Sequence, residues 1–264
     1  MKELADLLKP IRVLSEAAGQ AILTVYRTDF DVEHKDDLSP LTAADLAAHR
    51  VIADGLSVLT PGVPVLSEES RHAPLSERSA WGTFWLVDPL DGTREFIKRN
   101  GEFSVNIALI DQGRPVLGVV HAPVLGWSAQ AAVGLGATKV SADGSVQPLQ
   151  IARAGASVRI AGSRSHQDVR MNAVLERIGA HELKPMGSAL KFVLVAGGEA
   201  DVYLRFGPTS EWDTAAGQCV LEQAGGQLLA PNGEVFTYNR RETLLNGDFI
   251  ALGDRDLPWR DWLA

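Results

Sequence analysis

Hydrophobic residues near the amino terminus recur with helical spacing. Leu4, Leu7, Leu8, Ile11, Leu14, Ala18, Ile22 and Val25 fall on one face of a 3.6-residue period. Residues 2–27 are therefore expected to form one amphipathic helix, with Pro10 as the place for a bend. Asp29 to Pro40 is polar and loop-like. A second helix is expected from about Thr42 to Leu59, where Pro61-Gly62 stops it. Val63 to Leu66 reads as a short strand ending at Ser67-Glu68-Glu69-Ser70, and Arg71 to Ala80 is polar enough for a mobile loop. Phe84 to Val87 is an apolar run, a buried strand entering Asp88. From Phe103 the text alternates, with Val105, Ile107 and Leu109 on one face. Asp111-Gln112-Gly113 turns it, and Val116 to His121 returns as the second arm of a hairpin. Further short strands reach to about Ile151, with a turn at Ala142-Asp143-Gly144.

Past Ala154 the rhythm changes. Strands at 158–161, 181–186 and 202–206 alternate with helices at 167–178, 188–196 and 214–224, the last closed by Gly225-Gly226. The fold class is α/β in the broad sense (α+β). Residues 1–154 are expected to carry helices on an antiparallel sheet, and residues 155–264 a second α/β part. No internal repeat or low-complexity linker separates the two, so they are expected to share an interface.

Composition narrows the class. A chain of 264 residues with 45% hydrophobic and 22% charged residues is globular and long enough to bury a large core unaided. Thirty-three acidic against 25 basic residues give a net charge of −8, which argues against a stable nucleic-acid partner. It does not exclude an anionic small substrate, because bound metal reverses the local field. One cysteine, Cys219, allows no internal disulfide and fits the cytoplasm; with no activating partner in its motif, it reads as a packed core thiol. The first residues lack an uninterrupted apolar stretch, so no signal peptide is expected, and no run is long enough to span a bilayer. Peripheral attachment to the cytoplasmic face of the inner membrane stays open, as do monomer and homodimer.

Three segments concentrate acids. In Trp85-Leu86-Val87-Asp88-Pro89-Leu90-Asp91-Gly92-Thr93 a strand ends at Asp88, Pro89 turns the chain, and Gly92 permits close backbone approach. Asp88 and Asp91 can then face one cavity with the Leu90 carbonyl between them, and the amides of Gly92, Thr93 and Arg94 can meet an anion. The second segment is Glu211-Trp212-Asp213-Thr214-Ala215-Ala216-Gly217, with Asp213 at an expected helix N-cap. The third is Glu68-Glu69. Each has a plain alternative: a turn, a cap, a solvated pair. The chemical reading requires all three to converge. Two carboxylates about 4 Å apart repel by about 4 kcal/mol at an effective dielectric of 20, so four of them stay ionised only with cations. Hard oxygen donors suit Mg²⁺, and two or three such ions would leave the cavity neutral or positive, ready for a phosphate.

These residues resemble the lithium-sensitive, magnesium-dependent phosphatase superfamily of inositol monophosphatase and fructose-1,6-bisphosphatase. Trp85–Thr93 matches its W-x-x-D-P-x-D-G-T motif, Trp212–Gly217 with Ala224-Gly225-Gly226 its W-D-x-A-A-G…A-G-G motif, and Glu68 the first Glu of its E-E-S element. Within it the chain is most similar to the bacterial 3′(2′),5′-bisphosphate nucleotidases of the CysQ type. Ser163-Arg164-Ser165-His166, Gly187-Ser188-Ala189-Leu190-Lys191-Phe192 and Arg205-Phe206-Gly207-Pro208-Thr209 carry that likeness. The resemblance implies a five-layer αβαβα sandwich. It implies Glu68, Asp88, the Leu90 carbonyl, Asp91 and Asp213 as Mg²⁺ ligands, Gly92 and Thr93 on the scissile phosphate, and Thr93 with Asp45 polarising the attacking water. It implies removal of phosphate from adenosine 3′,5′-bisphosphate to give AMP, inhibited by Li⁺, and extends to the sulfated analogue. Read from the residues alone, Asp45 serves equally as the fourth position of a capping box begun by Thr42. Lys191 and Arg205 are candidate cations for a second phosphate. Ser188 and Gly187 offer a hydroxyl and amides, and His166 a sugar or phosphate contact. Direct attack by water is expected, since the motifs hold no activated Cys, Ser–His or His pair. The alternatives are an inositol or sugar phosphatase of the same fold, and a non-catalytic regulatory or RNA-associated protein.

Overall fold

The computed structural model describes residues 3–27, 43–162 and 169–264. Its first half is a seven-stranded sheet with two long helices. The helices are α1 (Leu4–Tyr26) and α2 (Ala43–Leu59). The strands are β1 (Val65–Ser67), β2 (Thr83–Asp91), β3 (Ser104–Asp111), β4 (Arg114–Ala122), β5 (Trp127–Ala132), β6 (Gly136–Ser141) and β7 (Val146–Leu149). They lie side by side in chain order; β1–β2 is parallel and every later pair antiparallel. The short helices α3 (Leu75–Arg78) and α4 (Thr93–Ile97) flank β2.

The second half contains β8 (Val158–Gly162), α5 (Val169–Ile178), β9 (His181–Pro185), α6 (Leu190–Ala196), β10 (Val202–Arg205), β11 (Thr209–Ser210) and α7 (Glu211–Gln223). β12 (Gln227–Leu229), β13 (Leu245–Asn246), β14 (Phe249–Leu252) and α8 (Trp259–Leu263) complete it. Its five-stranded sheet has the order β12-β14-β10-β8-β9, parallel only at β10–β8 and β8–β9, and β11 pairs with β13 apart from it.

Burial sorts these elements into five layers. Leu7, Ile11, Ile22, Ile52 and Leu56 of α1 and α2 pack on Trp85, Val87, Ile107 and Leu109, one face of the first sheet. The opposite face, with Leu86, Ala108 and Ile110, meets α6 and α7, whose far side packs on Tyr203, Phe249 and Ala251 of the second sheet. Val174 of α5 and Trp259 and Trp262 of α8 close the last face over Ile160, Leu204 and Ile250. The order is helices, sheet, helices, sheet, helices: an α/β fold of the layered kind implied by the motifs. Cys219 sits in the middle layer, where burial raises its thiol pKa.

Four features differ from the reading of the sequence. The 71–80 segment is not a free loop: it holds α3, and Arg78 is 1% exposed. The Arg78 guanidinium donates to the Asn239 side chain and to the carbonyls of Arg241 and Glu242, contacts far along the chain. β3 is buried on both faces rather than one, because a helix layer covers each. α7 begins at Glu211, three residues before the expected start. Short α8, not foreseen, caps the carboxyl-terminal side.

Candidate active site

The site begins with an irregularity in β2. Along β2 and β3, Asp88 pairs with Asn106 and Asp91 with Ser104, so Pro89 and Leu90 together oppose only Val105. In a regular strand, residues three apart point to opposite faces; one extra residue resets the alternation. Phe84 and Leu86 face the middle layer, and Asp88 continues that face. Leu90 joins Trp85 and Val87 in the outer core, 1% exposed. Asp91 returns to the side of Asp88. Pro89, with no N–H to place in a ladder, suits the extra position. The Leu90 N–H donates to Asp88 Oδ1 at 3.0 Å, tightening the turn. Gly92 follows with φ +96, open to glycine without strain, and Thr93 opens α4.

From the middle layer comes Asp213, in the first turn of α7. It is not the N-cap. Ser210 holds that place, and Asp213 Oδ2, three residues on, accepts the Ser210 N–H at 2.8 Å as half of a capping box. Its other side meets β2. One carboxylate oxygen from each of Asp88, Asp91 and Asp213 lies within 4.8 Å of the others. The charges of Glu68 and Asp213 also act on Asp88. Glu68, just past β1, stands at the exposed rim, its N–H donating to the Val87 carbonyl. Asp45, in the first turn of α2 and 4% exposed, is close enough for its charge to act on Glu68 and Asp88. Thr42, its expected capping partner, lies outside the described residues.

Crowding and burial leave these acids reluctant to ionise. Burial, then the charges of Glu68, Asp91 and Asp213, push Asp88 well above the usual carboxylate range. Glu68 is raised to about 7 by desolvation and by Asp45, Glu69 and Asp91, and Asp213 to about 7 by burial and Asp91. Asp91 is raised less. Burial drives it up, while Lys191, the Ala189 N–H (2.6 Å) and Asn106 Nδ2 (3.3 Å) favour its charged form. Crowded carboxyls relieve their repulsion by keeping protons, and a cation serves the same end with more charge. Oxygen ligands of one hard divalent ion, at bonds of about 2.0–2.6 Å, lie within about 3–5 Å of each other. The three aspartates have that spacing and that donor chemistry, so the residues present fit a divalent metal.

The loop before α6 completes one wall. Gly92 approaches Ser188 so closely that an added Cβ would lie 3.3 Å from the Ser188 Cβ. Ser188 itself has φ +45, and its hydroxyl accepts from Ser104 Oγ at 3.1 Å. An added Cβ on Gly187 would come within 2.4 Å of the Glu102 carbonyl, so only glycine fits there. Lys191 is 6% exposed. Its Nζ donates to the Ser188 carbonyl at 2.6 Å and lies 5.1 Å over the Tyr203 ring, and burial lowers its pKa to about 8. Arg205 stands farther off, at the end of β10, donating to the Pro208 carbonyl at 3.4 Å. His166, with Ser163, Arg164 and Ser165, lies outside the described residues. Glu211 turns away from the cluster to the Asn239 N–H (2.8 Å) and Arg241 (3.3 Å). Sequence reasoning missed Ser104 and Asn106, two polar residues two apart on an otherwise apolar strand face. That interruption was the available signal.

The profile of the inositol monophosphatase family matches residues 3–255. The chain is 50% identical over 238 residues to the 3′(2′),5′-bisphosphate nucleotidase CysQ of Escherichia coli K12, covering 89% of this chain and 95% of that one. The namesake from Aggregatibacter actinomycetemcomitans is 40% identical over 258 residues, covering 96% of this chain and 95% of that one. Among solved structures, CysQ from Bacteroides thetaiotaomicron, described as a bacterial member of the inositol monophosphatase family, superposes with a TM-score of 0.82 at 39% identity, over 92% of this chain and 95% of that one. An inositol monophosphatase from Zymomonas mobilis shares the fold at a TM-score of 0.78 and 23% identity, over 99% of this chain and 98% of that one. The family match over residues 3–255 and a relative 50% identical over 89% of the chain show that the chain belongs to the inositol monophosphatase family.

Proposed function

We propose that this protein is a Mg²⁺-dependent 3′(2′),5′-bisphosphate nucleotidase that hydrolyses the 3′-phosphate of adenosine 3′,5′-bisphosphate to AMP and phosphate, and acts also on the sulfated analogue. The observation that carries the reading is the approach of Asp88, Asp91 and Asp213 to within 4.8 Å. The 50% identity to a nucleotidase over 89% of the chain supports the substrate class. Enzymes of the family are metal-dependent, and this acidic cluster is of that kind.

Glu68, Asp88, the Leu90 carbonyl, Asp91 and Asp213 would hold two or three Mg²⁺ ions, and Li⁺ would inhibit. Bound there, Mg²⁺ supplies a lowered pKa for water and charge to neutralise the phosphoryl oxygens. The chain's own groups do the rest. The amides of Gly92 and Thr93 orient the scissile phosphate. Thr93 and Asp45 polarise the attacking water as a pair: the Thr93 hydroxyl takes up a proton from the water as it passes its own to the Asp45 carboxylate. The water oxygen bonds to phosphorus as the bond to the 3′-oxygen breaks, and that oxygen leaves with the electron pair and takes up a proton. No residue is phosphorylated. Gly187 and Ser188 line the sugar side. Lys191 and Arg205 balance the second phosphate, and His166 would supply a sugar or phosphate contact. A monomer or homodimer in the cytoplasm accords with this chemistry, and no described helix is long and apolar enough to cross a membrane.

The test is phosphate release from adenosine 3′,5′-bisphosphate, its sulfated analogue, inositol 1-phosphate and fructose 1,6-bisphosphate, with and without Mg²⁺ and Li⁺. The bisphosphonucleoside should be preferred, chelation should abolish turnover, and Li⁺ should depress it. Preference for the inositol or sugar phosphate, or undiminished turnover in chelator, would overturn the reading.

A further inference from the structure

Ser67, the last residue of β1, is fully buried and uses every polar group it has. Its N–H donates to Ser70 Oγ at 3.3 Å. Its carbonyl accepts from Ser70 Oγ at 2.9 Å, from the Ser70 N–H at 3.1 Å and from His72 Nε2 at 3.0 Å. Its hydroxyl lies 2.9 Å from His49 Nδ1. The last two contacts leave the local turn and reach other parts of the site. His49 is one turn after Asp45 on α2, on the same face. The His72 ring packs on Trp212, centroids 5.1 Å apart, and Trp212 immediately precedes Asp213. Two histidines thus tie the backbone in front of Glu68 to the helix that carries Asp45 and to the helix that carries Asp213.

Glu68 needs such ties. Its side chain is exposed, long and rotatable, and one ladder bond, to the Val87 carbonyl, orients its backbone against β2. Fixing the residue before it removes the freedom to drift along the rim. We propose that His49 and His72 are positioning residues: through Ser67 they set where the Glu68 carboxylate stands relative to Asp45 and Asp213, and so tune cation affinity without touching substrate. The His72 ring must carry its proton on Nε2, since a carbonyl can only accept. The inference rests on Glu68 being a cation ligand, as proposed above.

The experiment is calorimetric titration of Mg²⁺ into the full chain, alongside phosphate release as a function of Mg²⁺ and of adenosine 3′,5′-bisphosphate. His49→Leu and His72→Leu remove the hydrogen bonds. His49→Asn and His72→Gln keep a polar group near the lost nitrogen. Ser67→Ala removes the hydroxyl that His49 meets without adding bulk, and His72 is exposed and open to substitution, so each tie is tested even if His49→Leu does not fold. Loss of partners behind metal ligands weakens affinity by about 10–100-fold, and that range is expected for the leucine variants and for Ser67→Ala. The substrate KM at saturating Mg²⁺ should stay within about twofold, since the lost interaction acts on cation affinity. The Asn and Gln variants should recover most of the affinity. Wild-type affinity in the leucine variants and Ser67→Ala, or equal loss in the Asn and Gln variants, would sink the proposal alone. A wild type that takes up no Mg²⁺ would sink the reading of Glu68 and this inference together.

Discussion

Asp213 performs two tasks at once. One oxygen accepts the Ser210 N–H and caps α7; the carboxyl also stands within the aspartate cluster. Asn can keep the first role with its carbonyl oxygen but cannot keep the charge. In Asp213→Asn the helix should persist while hydrolysis of adenosine 3′,5′-bisphosphate falls by at least ~100-fold, equivalent to about 2.7 kcal/mol of barrier. Circular dichroism and phosphate release check the two halves; near-normal turnover would remove Asp213 from the site. The identity of this residue was legible in its motif. Its place was not: Asp at the head of a helix suggested the N-cap, but Ser210 takes that position because β11 delivers the chain in extended form three residues earlier. Lys191 is a similar case. The sequence offered it as a cation for a second phosphate but not its burial against Tyr203, which lowers its pKa to about 8.

Among the elements, β2 and α7 govern the site. The extra residue in β2 turns Asp88 and Asp91 to one side, and α7 brings Asp213 to them through the middle layer. α7 can lie there because Gly217 lets the Phe192 ring of α6 approach. An added Cβ would fall 2.4 Å from that ring. Overpacking of this kind costs about 1–3 kcal/mol, so Gly217→Ala should lower the thermal midpoint by several degrees. Phe192→Leu in the same chain should restore part of the loss, because the two side chains share one gap. Additive losses in the double variant would show that the contact is not the cause. The elements themselves were largely visible as periodicities, since helix and strand repeats are properties of neighbouring residues. The Arg78 anchor was not, because its partners lie at Asn239, Arg241 and Glu242.

Across the molecule, the cluster sits where the first sheet meets the central helices, and its acids link stability to pH and cation. Glu68 and Asp213 are both raised to about 7, from the ordinary carboxylate range. Between that range and pH 7 the folded state holds protons that the unfolded chain has lost, so in chelator stability should fall as pH rises through this window. Mg²⁺ displaces those protons, and its binding weakens as they return. Thermal melts with and without Mg²⁺ should therefore show a clear increase at pH 8 and little at pH 5. An equal increase at both pH values would mean that the cation binds away from these carboxyls.

Periodicity, turn chemistry and the acidic motifs specified the long helices, most of the strands and most of the carboxylates, because each is set by residues within a few positions of one another; the expected strand end at Asp88 proved instead a bulge within β2, which runs to Asp91. The meeting of Glu68, Asp88 and Asp213, the burial of Arg78 and Lys191, and the histidine ties to Ser67 depend on which faces the layers press together. That is decided by packing over long chain separations, where the energy of a contact is not written in either partner alone.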